Sequence, residues 1–302
     1  MIRPPRLRPG DIVRIVAPSG PVPRAGFLAG AEILGRRYTL RYDDALFSAD
    51  GYLAGSDERR LTELATALAD PEARAVVMAR GGYGLLRLLP FLDPEALRET
   101  AKPIVGFSDG TALLAQAARA GIASVHGPVV TQLANLPADD HTALFRLLEE
   151  PAPGVVLSGL EPVVPGRARG PLLGGNLEVF SRLLGTPFLP ELDGAILFIE
   201  DLGERPYRID RLVTHLDLAG VFGALAGVVV GDFSACLEPE PTRASSPPVG
   251  DVLTERLSRL AIPVVRGALV GHGTRNQALP YGALCELDTR QGTLTALEGC
   301  VS

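Results

Sequence analysis

The chain has 302 residues, of which 46% are hydrophobic, and a net charge of -6 at pH 7. Its length is sufficient for two medium-sized domains with substantial cores. No run of Lys or Arg stands out, which argues against a nucleic-acid binder. The longest uncharged stretch, Leu218–Gly231, is shorter than the roughly 20 residues that span a bilayer. We therefore expect no membrane role.

The N-terminal region and the cysteines indicate a cytoplasmic protein. Charged residues between Arg6 and Arg14 interrupt any apolar core of a secretory signal. The three cysteines, Cys236, Cys285 and Cys300, are odd in number, widely spaced and without a C-x-x-C pair. This pattern argues against a disulfide framework and against a zinc site. No metal or cofactor is predicted.

Short β-branched runs alternate with helical segments in the first half of the chain, residues 1–138. Because hairpin signals are nearly missing, this alternation predicts a parallel sheet covered by helices on both faces. Ligands of such sheets bind outside the carboxyl ends of the strands. Predicted strands are DIVRIVAP, YTLRYDD, RAVVMA, KPIVGF and IASVH, and predicted helices are AGFLAGAEILGRR, SDERRLTELATALADP (capped by Ser56 or Asp57) and TALLAQAARA.

The second half begins with a change of composition. A helix, HTALFRLLEE, is followed by a passage rich in Pro and Gly, and we interpret residues 139–169 as a linker region. Residues 170–302 predict a second α/β domain with a smaller, more β-rich sheet. Its predicted elements are PLLGGNLEVFSRLLG, AILFIED, GVVVGDFSAC, IPVVRGAL, ALCELD and a helix, PYRIDRLVTHLDLAGVF, with Pro206 in its first turn.

The stretch GFSDG, residues 106–110, joins a predicted strand to a predicted helix. A Gly-x-Ser-x-Gly turn in this context is typical of a nucleophile elbow, which lifts a serine hydroxyl clear of the sheet. The glycines matter because side chains would collide where strand and helix meet. Ser108 is therefore the candidate nucleophile.

A serine hydroxyl needs a base to take its proton, usually a histidine oriented by a carboxylate. The chain has four histidines. His141 lies at the polar start of a predicted helix, so we expect it to be solvated. His215 lies inside an amphipathic helix, so we expect it to be structural. His126 and His272 each follow an apolar strand and precede a glycine. His272 is the better candidate, because flanking glycines clear space for substrate, and His126 is expected to shape the pocket wall.

The carboxylate and the oxyanion hole are less sharply predicted. Strand alternation places Glu200 and Asp201 on opposite faces at the end of one strand, and either could orient a histidine. Glu204 follows shortly after, and one of these acids could instead cap the next helix. The oxyanion hole is expected from the N–H of Asp109 with that of Gly81 or Gly82. The GGYG sequence does not match a phosphate-binding glycine loop, so that interpretation is weak.

Several stretches together resemble the serine LD-carboxypeptidases, a family that includes the microcin-immunity peptidases. They are GDIVRIVAPSG, FLAGAEILG, LAGSDERRLTELATALADPEARAVVMARGGYGLLRLLP, GFSDGTALL, HGP, GGNLEVFSRLLGTP, LFIEDLGERPYRIDRLVTHL and GHGTRNQALPYGALCELD. The resemblance implies a Ser-His-Glu triad of Ser108, His272 and Glu200. It also implies an N-terminal flavodoxin-like domain carrying the serine, a C-terminal domain carrying the other two residues, and commonly a homodimer. Gly110 departs from the family, which usually has a larger aliphatic residue there.

The activity implied by the resemblance is hydrolysis of the bond between the L-centre of meso-diaminopimelate and the terminal D-alanine of murein tetrapeptides, during peptidoglycan recycling. The alternatives are an immunity-type peptidase acting on an aminoacyl-nucleotide amide and a binding module without catalysis. Murein peptides carry several carboxylates, so we expect local positive charge in the cleft. The candidate ligands of these carboxylates are Arg80, Arg205, Arg208 and Arg275.

Overall fold

The computed structural model describes residues 1–238 and 246–302. The first half contains strands β1 to β5 and helices α1 to α6, and the second half contains β6 to β14 and α7 to α10. In chain order the elements are β1 (Ile12–Val16), α1 (Arg24–Gly35), β2 (Thr39–Arg41), α2 (Asp57–Ala69), β3 (Ala73–Met78), α3 (Pro94–Glu99), β4 (Ile104–Gly106), α4 (Thr111–Arg119), β5 (Ser124–His126), α5 (Val130–Leu133), α6 (Ala138–Glu149), β6 (Gly154–Leu157), β7 (Glu161–Val164), β8 (Arg167–Asn176), α7 (Leu177–Ser181), β9 (Ile196–Leu202), α8 (Pro206–Leu218), α9 (Val221–Ala224), β10 (Gly227–Ser234), α10 (Val249–Leu257), β11 (Val264–Arg266), β12 (Leu279–Tyr281), β13 (Leu284–Asp288) and β14 (Thr293–Ala296).

The first sheet has the strand order β12-β5-β4-β3-β1-β2. Its first five strands in sequence are parallel and follow the flavodoxin-like order 2-1-3-4-5. The predicted α/β class and the parallel N-terminal sheet are therefore confirmed. The sixth strand, β12, comes from the far end of the chain and pairs antiparallel with β5. Sequence patterning did not predict it, because a three-residue edge strand carries too little periodicity.

The second sheet has eight strands in the order β6-β14-β13-β8-β9-β10-β11-β7. It has more strands than the first sheet, although a smaller one was expected. The reason is that β6 and β7, from the Pro- and Gly-rich passage predicted as a linker, occupy its two edges. Pro162, within β7, is compatible with such a position, since an edge strand has a side on which no N–H is needed.

Helix α4 connects the two sheets. It follows β4 directly, and its apolar residues are buried between the first sheet and strand β8 of the second. A continuous hydrophobic core runs from β3 through α4 to β9 and β10. A second core covers the opposite face of the first sheet beneath α1. The elbow between β4 and α4 thus lies where the two sheets face each other.

Local capping follows the sequence. Ser56 caps α2 by accepting a hydrogen bond from the Arg59 N–H, so of the two candidates the serine is the cap. Helix α8 begins at Pro206, as predicted, and buries its apolar face. The three cysteines are buried free thiols. Among the helices of the described residues, none has the length and apolar character needed to cross a membrane.

Candidate active site

Ser108 occupies a strained turn at the carboxyl end of β4. Its φ of 60° is one of only two positive values among the non-glycine residues that the structure describes. A left-handed conformation costs a residue with a Cβ about 1 kcal/mol or more, and such strain concentrates at functional turns. The turn is a single 3-10 turn, Ser108–Gly110, that leads directly into α4. This is the geometry expected of a nucleophile elbow.

The glycines around the elbow are required by close packing. A Cβ on Gly110 would lie 2.7 Å from the Met78 sulfur, and one on Gly106 would lie 3.2 Å from the same atom. A Cβ on Gly81 would lie 2.7 Å from the Ser108 Cβ and 2.9 Å from its Oγ. The GGYG loop after β3 therefore approaches Ser108 closely at Gly81, which has no side chain. Gly81, Gly82, Ser108 and Asp109 line one cleft.

The side chain of Asp109 holds the elbow in place through hydrogen bonds. Its carboxylate is buried and accepts hydrogen bonds from Ser19 Oγ at 2.6 Å and from the Leu85 N–H at 2.9 Å. Burial raises the pKa of Asp109 to about 6, against which both hydrogen bonds act. The side chain thus joins the elbow to two neighbouring loops, and Asp109 also lines the cleft.

His272 is hydrogen-bonded to a buried carboxylate. Its Nδ1 lies 2.8 Å from Glu200 Oε2, and Glu200 is completely buried at the end of β9. Burial raises the pKa of Glu200, and the His272 contact opposes that rise. A carboxylate can only accept, so Nδ1 carries the proton and Nε2 is the nitrogen that can take another. His272 lines the same cleft as Ser108.

The path of the chain explains how His272 reaches the first sheet. Residues 267–278 connect β11, in the second sheet, to β12, at the edge of the first. Because β12 runs antiparallel to β5 and pairs Leu279 with His126, the connection arrives over the carboxyl edge of the first sheet. Ser108 lies at this same edge, after β4. The connection therefore brings together residues that are far apart in sequence.

The glycines beside His272 serve a different purpose from the predicted one. A Cβ on Gly271 would lie 2.9 Å from the Asp232 Cβ, and one on Gly273 would lie 2.9 Å from Asp232 Oδ2. The space they clear is therefore occupied by Asp232 of β10, not left open for substrate. Asp232 also raises the pKa of Glu200 through charge repulsion.

The two other candidate acids have different partners. Asp201 points to the opposite face of β9 from Glu200, where it accepts hydrogen bonds from Asn176 Nδ2 and from the Glu178 N–H. Glu204 pairs with Arg208. Neither caps α8, whose N-cap residue, Arg205, makes no side-chain capping bond. Of the three acids, Glu200 is the one hydrogen-bonded to His272, and it is the acid that the family resemblance implies.

The remaining histidines do not line the cleft. His126 is completely buried behind Phe107, with ring centroids 5.3 Å apart, and its ring nitrogens have no hydrogen-bond partner among the described residues. It therefore lies behind the pocket wall instead of forming it. His141 is half-buried and its Nε2 lies 2.8 Å from the Leu133 carbonyl, while His215 is exposed on α8. His141 is thus more buried than expected, and His215 is more exposed than expected.

The cleft has a volume of about 820 Å³. Of the four predicted arginines, only Arg80 lines it, and Pro21 accepts a hydrogen bond from its guanidinium. Arg275 binds the buried carboxylate of Asp140 with both Nε and Nη2 and does not line the cleft, so the structure gives no support for its expected role as a substrate ligand. Arg205 and Arg208 lie outside the lining and pair with Glu238 and Glu204, respectively.

Sequence reasoning missed several residues of the cleft. Arg182 and Glu178 of the α7 segment line it, as do the polar side chains of Asn176 and Gln132. The available signal was position, because α7 follows a predicted strand and glycine turn, where ligand-binding side chains are expected. Among the described residues the lining contains two arginines and four acids, so the expected local positive charge is present but is outnumbered by acidic side chains. The charged residues are Arg80, Arg182, Asp109, Glu178, Asp201 and Glu204.

Two family models match the chain. Residues 13–127 match the LD-carboxypeptidase N-terminal domain, and residues 169–287 match the LD-carboxypeptidase C-terminal domain. The chain belongs to the LD-carboxypeptidase family. It is thus a member of a peptidase family, and the candidate residues fall in both matched regions.

Individual relatives agree with this assignment. A Streptomyces coelicolor protein, provisionally named a carboxypeptidase, is 41% identical over 98% of this chain and 96% of its own length. The murein tetrapeptide carboxypeptidase of Pseudomonas aeruginosa is 32% identical over 84% of this chain and 83% of its own. A solved structure of microcin C7 self-immunity protein with aspartyl sulfamoyl adenosine superposes with a TM-score of 0.90 at 24% identity, each chain being covered completely. At that identity the last comparison shows the fold alone.

Proposed function

We propose that this chain is a serine LD-carboxypeptidase that releases the terminal D-alanine from murein tetrapeptides. One observation carries the proposal: Ser108, on a strained turn, lines the same cleft as His272, whose Nδ1 is hydrogen-bonded to the buried Glu200. A hydroxyl, an imidazole and a carboxylate in this relation are the parts of a nucleophilic triad. The relationship to a murein tetrapeptide carboxypeptidase supports the choice of substrate.

In the proposed mechanism, Ser108 Oγ attacks the carbonyl carbon of the L-centre while His272 Nε2 takes the hydroxyl proton. Glu200 holds the imidazole in the tautomer with its proton on Nδ1 and stabilises the imidazolium. The N–H groups of Gly82 and Asp109 stabilise the negative oxygen of the tetrahedral intermediate. His272 then protonates the leaving amine of D-alanine, and a water molecule, activated by the same histidine, hydrolyses the acyl-enzyme.

The leaving residue carries a free carboxylate, which a carboxypeptidase must recognise. Arg80 is the candidate, because it precedes the proposed oxyanion loop and lines the cleft. A guanidinium is suited to this role, since its planar N–H groups match the two oxygens of a carboxylate. The proposed setting, as the family resemblance implies, is cytoplasmic peptidoglycan recycling by a homodimer.

A second candidate function is cleavage of an aminoacyl-nucleotide amide. The observation that favours it is an aromatic pair at the cleft: Tyr83 lines it and contacts Tyr52 edge to face, with centroids 5.7 Å apart. Tyr83 is 45% exposed, so its ring could stack against a nucleobase. The charged groups that line the cleft suit a peptide better.

The test is a mass-spectrometric assay of the purified protein and of Ser108→Ala. Three substrates are offered: the meso-diaminopimelate tetrapeptide ending in D-alanine, its L-alanine epimer, and an aminoacyl-sulfamoyl nucleotide. We expect release of D-alanine by the unmodified protein alone, with the L-epimer cleaved at least tenfold more slowly. Preference for the nucleotide would favour the second function, and binding without turnover would indicate a module without catalysis.

A further inference from the structure

Glu178 and Arg182 form an ion pair inside the cleft. They stand one helical turn apart, and the Arg182 guanidinium donates to Glu178 Oε1 through Nε at 2.9 Å and through Nη2. Their side chains are 35% and 56% exposed, respectively. An exposed pair with this spacing contributes little to the stability of a protein. Stability is therefore a weak reason for placing two charges on the wall of the cleft.

The segment that carries the pair is tied to the catalytic candidates. The Asn176 N–H donates to Thr111 Oγ1 at 3.0 Å, and Thr111 is the first residue of the helix that follows the elbow. The Glu178 N–H donates to Asp201 Oδ2 at 3.0 Å, and Asp201 directly follows Glu200. These two bonds fix the backbone that carries the pair relative to the elbow and to the strand that carries Glu200.

The pair offers two complementary charges side by side. Both of its hydrogen bonds end on Oε1 of Glu178, so Oε2 and the Nη1 group of Arg182 are not used within the pair. An amino-acid head group carries an ammonium and a carboxylate on one carbon. Its ammonium can bind the glutamate while its carboxylate binds the arginine. A simple amine, such as the end of a lysine side chain, satisfies only the glutamate.

We propose that Glu178 and Arg182 bind the zwitterionic head group at the end of the substrate's diaminopimelate side chain. The pair would then select a diamino-diacid over lysine at the residue that precedes the cleaved bond. This inference rests on the proposed function, because it assumes that the peptide binds with its cleaved bond at Ser108. It concerns a different group of the substrate from the terminal carboxylate assigned to Arg80.

The experiment measures kcat/KM for D-alanine release from three tetrapeptides that differ only at the third residue. This residue is meso-diaminopimelate, the same residue with its side-chain carboxylate amidated, or L-lysine. The proteins are the unmodified chain, Arg182→Gln, Glu178→Gln and the control Arg36→Gln. Arg36 and Glu32 form a matched pair with the same spacing on α1, outside the cleft. Thermal melting of each variant verifies that it is folded.

We expect the unmodified protein and Arg36→Gln to prefer meso-diaminopimelate at least tenfold over the other two peptides, mainly through a lower KM. Arg182→Gln should remove this preference, whereas Glu178→Gln should weaken binding of all three peptides, since each carries the ammonium. Equal rates on the three peptides, or a preference that survives in Arg182→Gln, would overturn the inference while leaving the proposed function standing. Release from none of the peptides would overturn both.

Discussion

Two histidines of this chain share nearly the same local sequence but lie in different environments. His126, in SVHGP, is the last residue of β5 and is completely buried within the first sheet. His272, in VGHGT, lies on the connection between the two sheets, beside Glu200 and on the wall of the cleft. In both sequences an apolar stretch precedes the histidine and a glycine follows it. The path of the chain after the histidine, and not its neighbours in sequence, decides its role.

The electrostatic surroundings of His126 and His272 differ accordingly. Burial, with a smaller contribution from the charge of His272, lowers the pKa of His126 to about 3. An imidazole that stays neutral at physiological pH and has no proton acceptor beside it cannot alternate between two protonation states during a reaction. His272 has a carboxylate hydrogen-bonded to one ring nitrogen, which is the arrangement by which a triad orients its general base.

The largest effect that this comparison predicts is for His272→Ala. Removing the proposed base should lower kcat/KM for tetrapeptide hydrolysis by about 10³-fold to 10⁵-fold with the fold retained, as is typical when one member of a triad is lost. The measurement is D-alanine release followed under single-turnover conditions. A loss smaller than tenfold would mean that another group accepts the serine proton.

Glu200→Gln should have the next largest effect. The amide retains the shape of the side chain but cannot stabilise an imidazolium, so kcat should fall about 10²-fold to 10⁴-fold with little change in KM. Glu255→Gln, on the exposed face of α10, is the control and should match the unmodified protein. If the Glu200→Gln variant retains more than a third of the activity, Glu200 is a packing residue.

His126→Leu should change activity by less than threefold. Leucine is similar in volume and removes two buried ring nitrogens that have no partner among the described residues. A buried polar group without a partner costs about 1–3 kcal/mol, so the melting temperature should stay the same or rise. A thirtyfold loss of activity in a protein with an unchanged melting temperature would instead place His126 in the reaction.

The last effect is on stability and not on activity, and it concerns the elbow side of the cleft. The pKa of Asp109 is about 6 in the fold against 3.8 ordinarily. Between these values the folded chain binds more protons than the unfolded one, so this group lowers stability as pH rises. In Asp109→Asn the same oxygen position can still accept from Ser19 and Leu85. Its free energy of unfolding should exceed that of the unmodified protein by about 1–3 kcal/mol at pH 7 and by little at pH 4. Denaturant titrations at both pH values measure this difference, and a constant difference would contradict the assignment.

Much of the first sheet and the identity of the elbow could be predicted from sequence. Strand β1, helix α2 and the turn at Ser108 each carry a local signal: β-branched residues, a serine cap, and glycines where backbones approach closely. The antiparallel strand β12 could not be predicted, because its partner is more than a hundred residues away and its length is three residues. Yet this strand fixes where His272 arrives.

Charged residues of the cleft were predicted less well, for a related reason. An arginine near a site motif can point into the cleft or toward a distant acid, and sequence does not show the acid. Arg275 binds Asp140, which lies 135 positions earlier in the chain. Conversely, Arg182 gave no motif signal and lines the cleft because α7 is held against β9. Long-range pairing decides such cases.

The central claim is that Ser108 is activated by His272 and not by His126. The most direct measurement is the rate at which a fluorophosphonate, which reacts with activated serine hydroxyls, modifies the intact protein, followed by mass spectrometry. We predict one adduct on Ser108 in the unmodified protein, the same rate in His126→Leu, a rate at least a hundredfold lower in His272→Ala, and no adduct in Ser108→Ala. Rapid labelling of His272→Ala together with slow labelling of a folded His126→Leu would contradict the account.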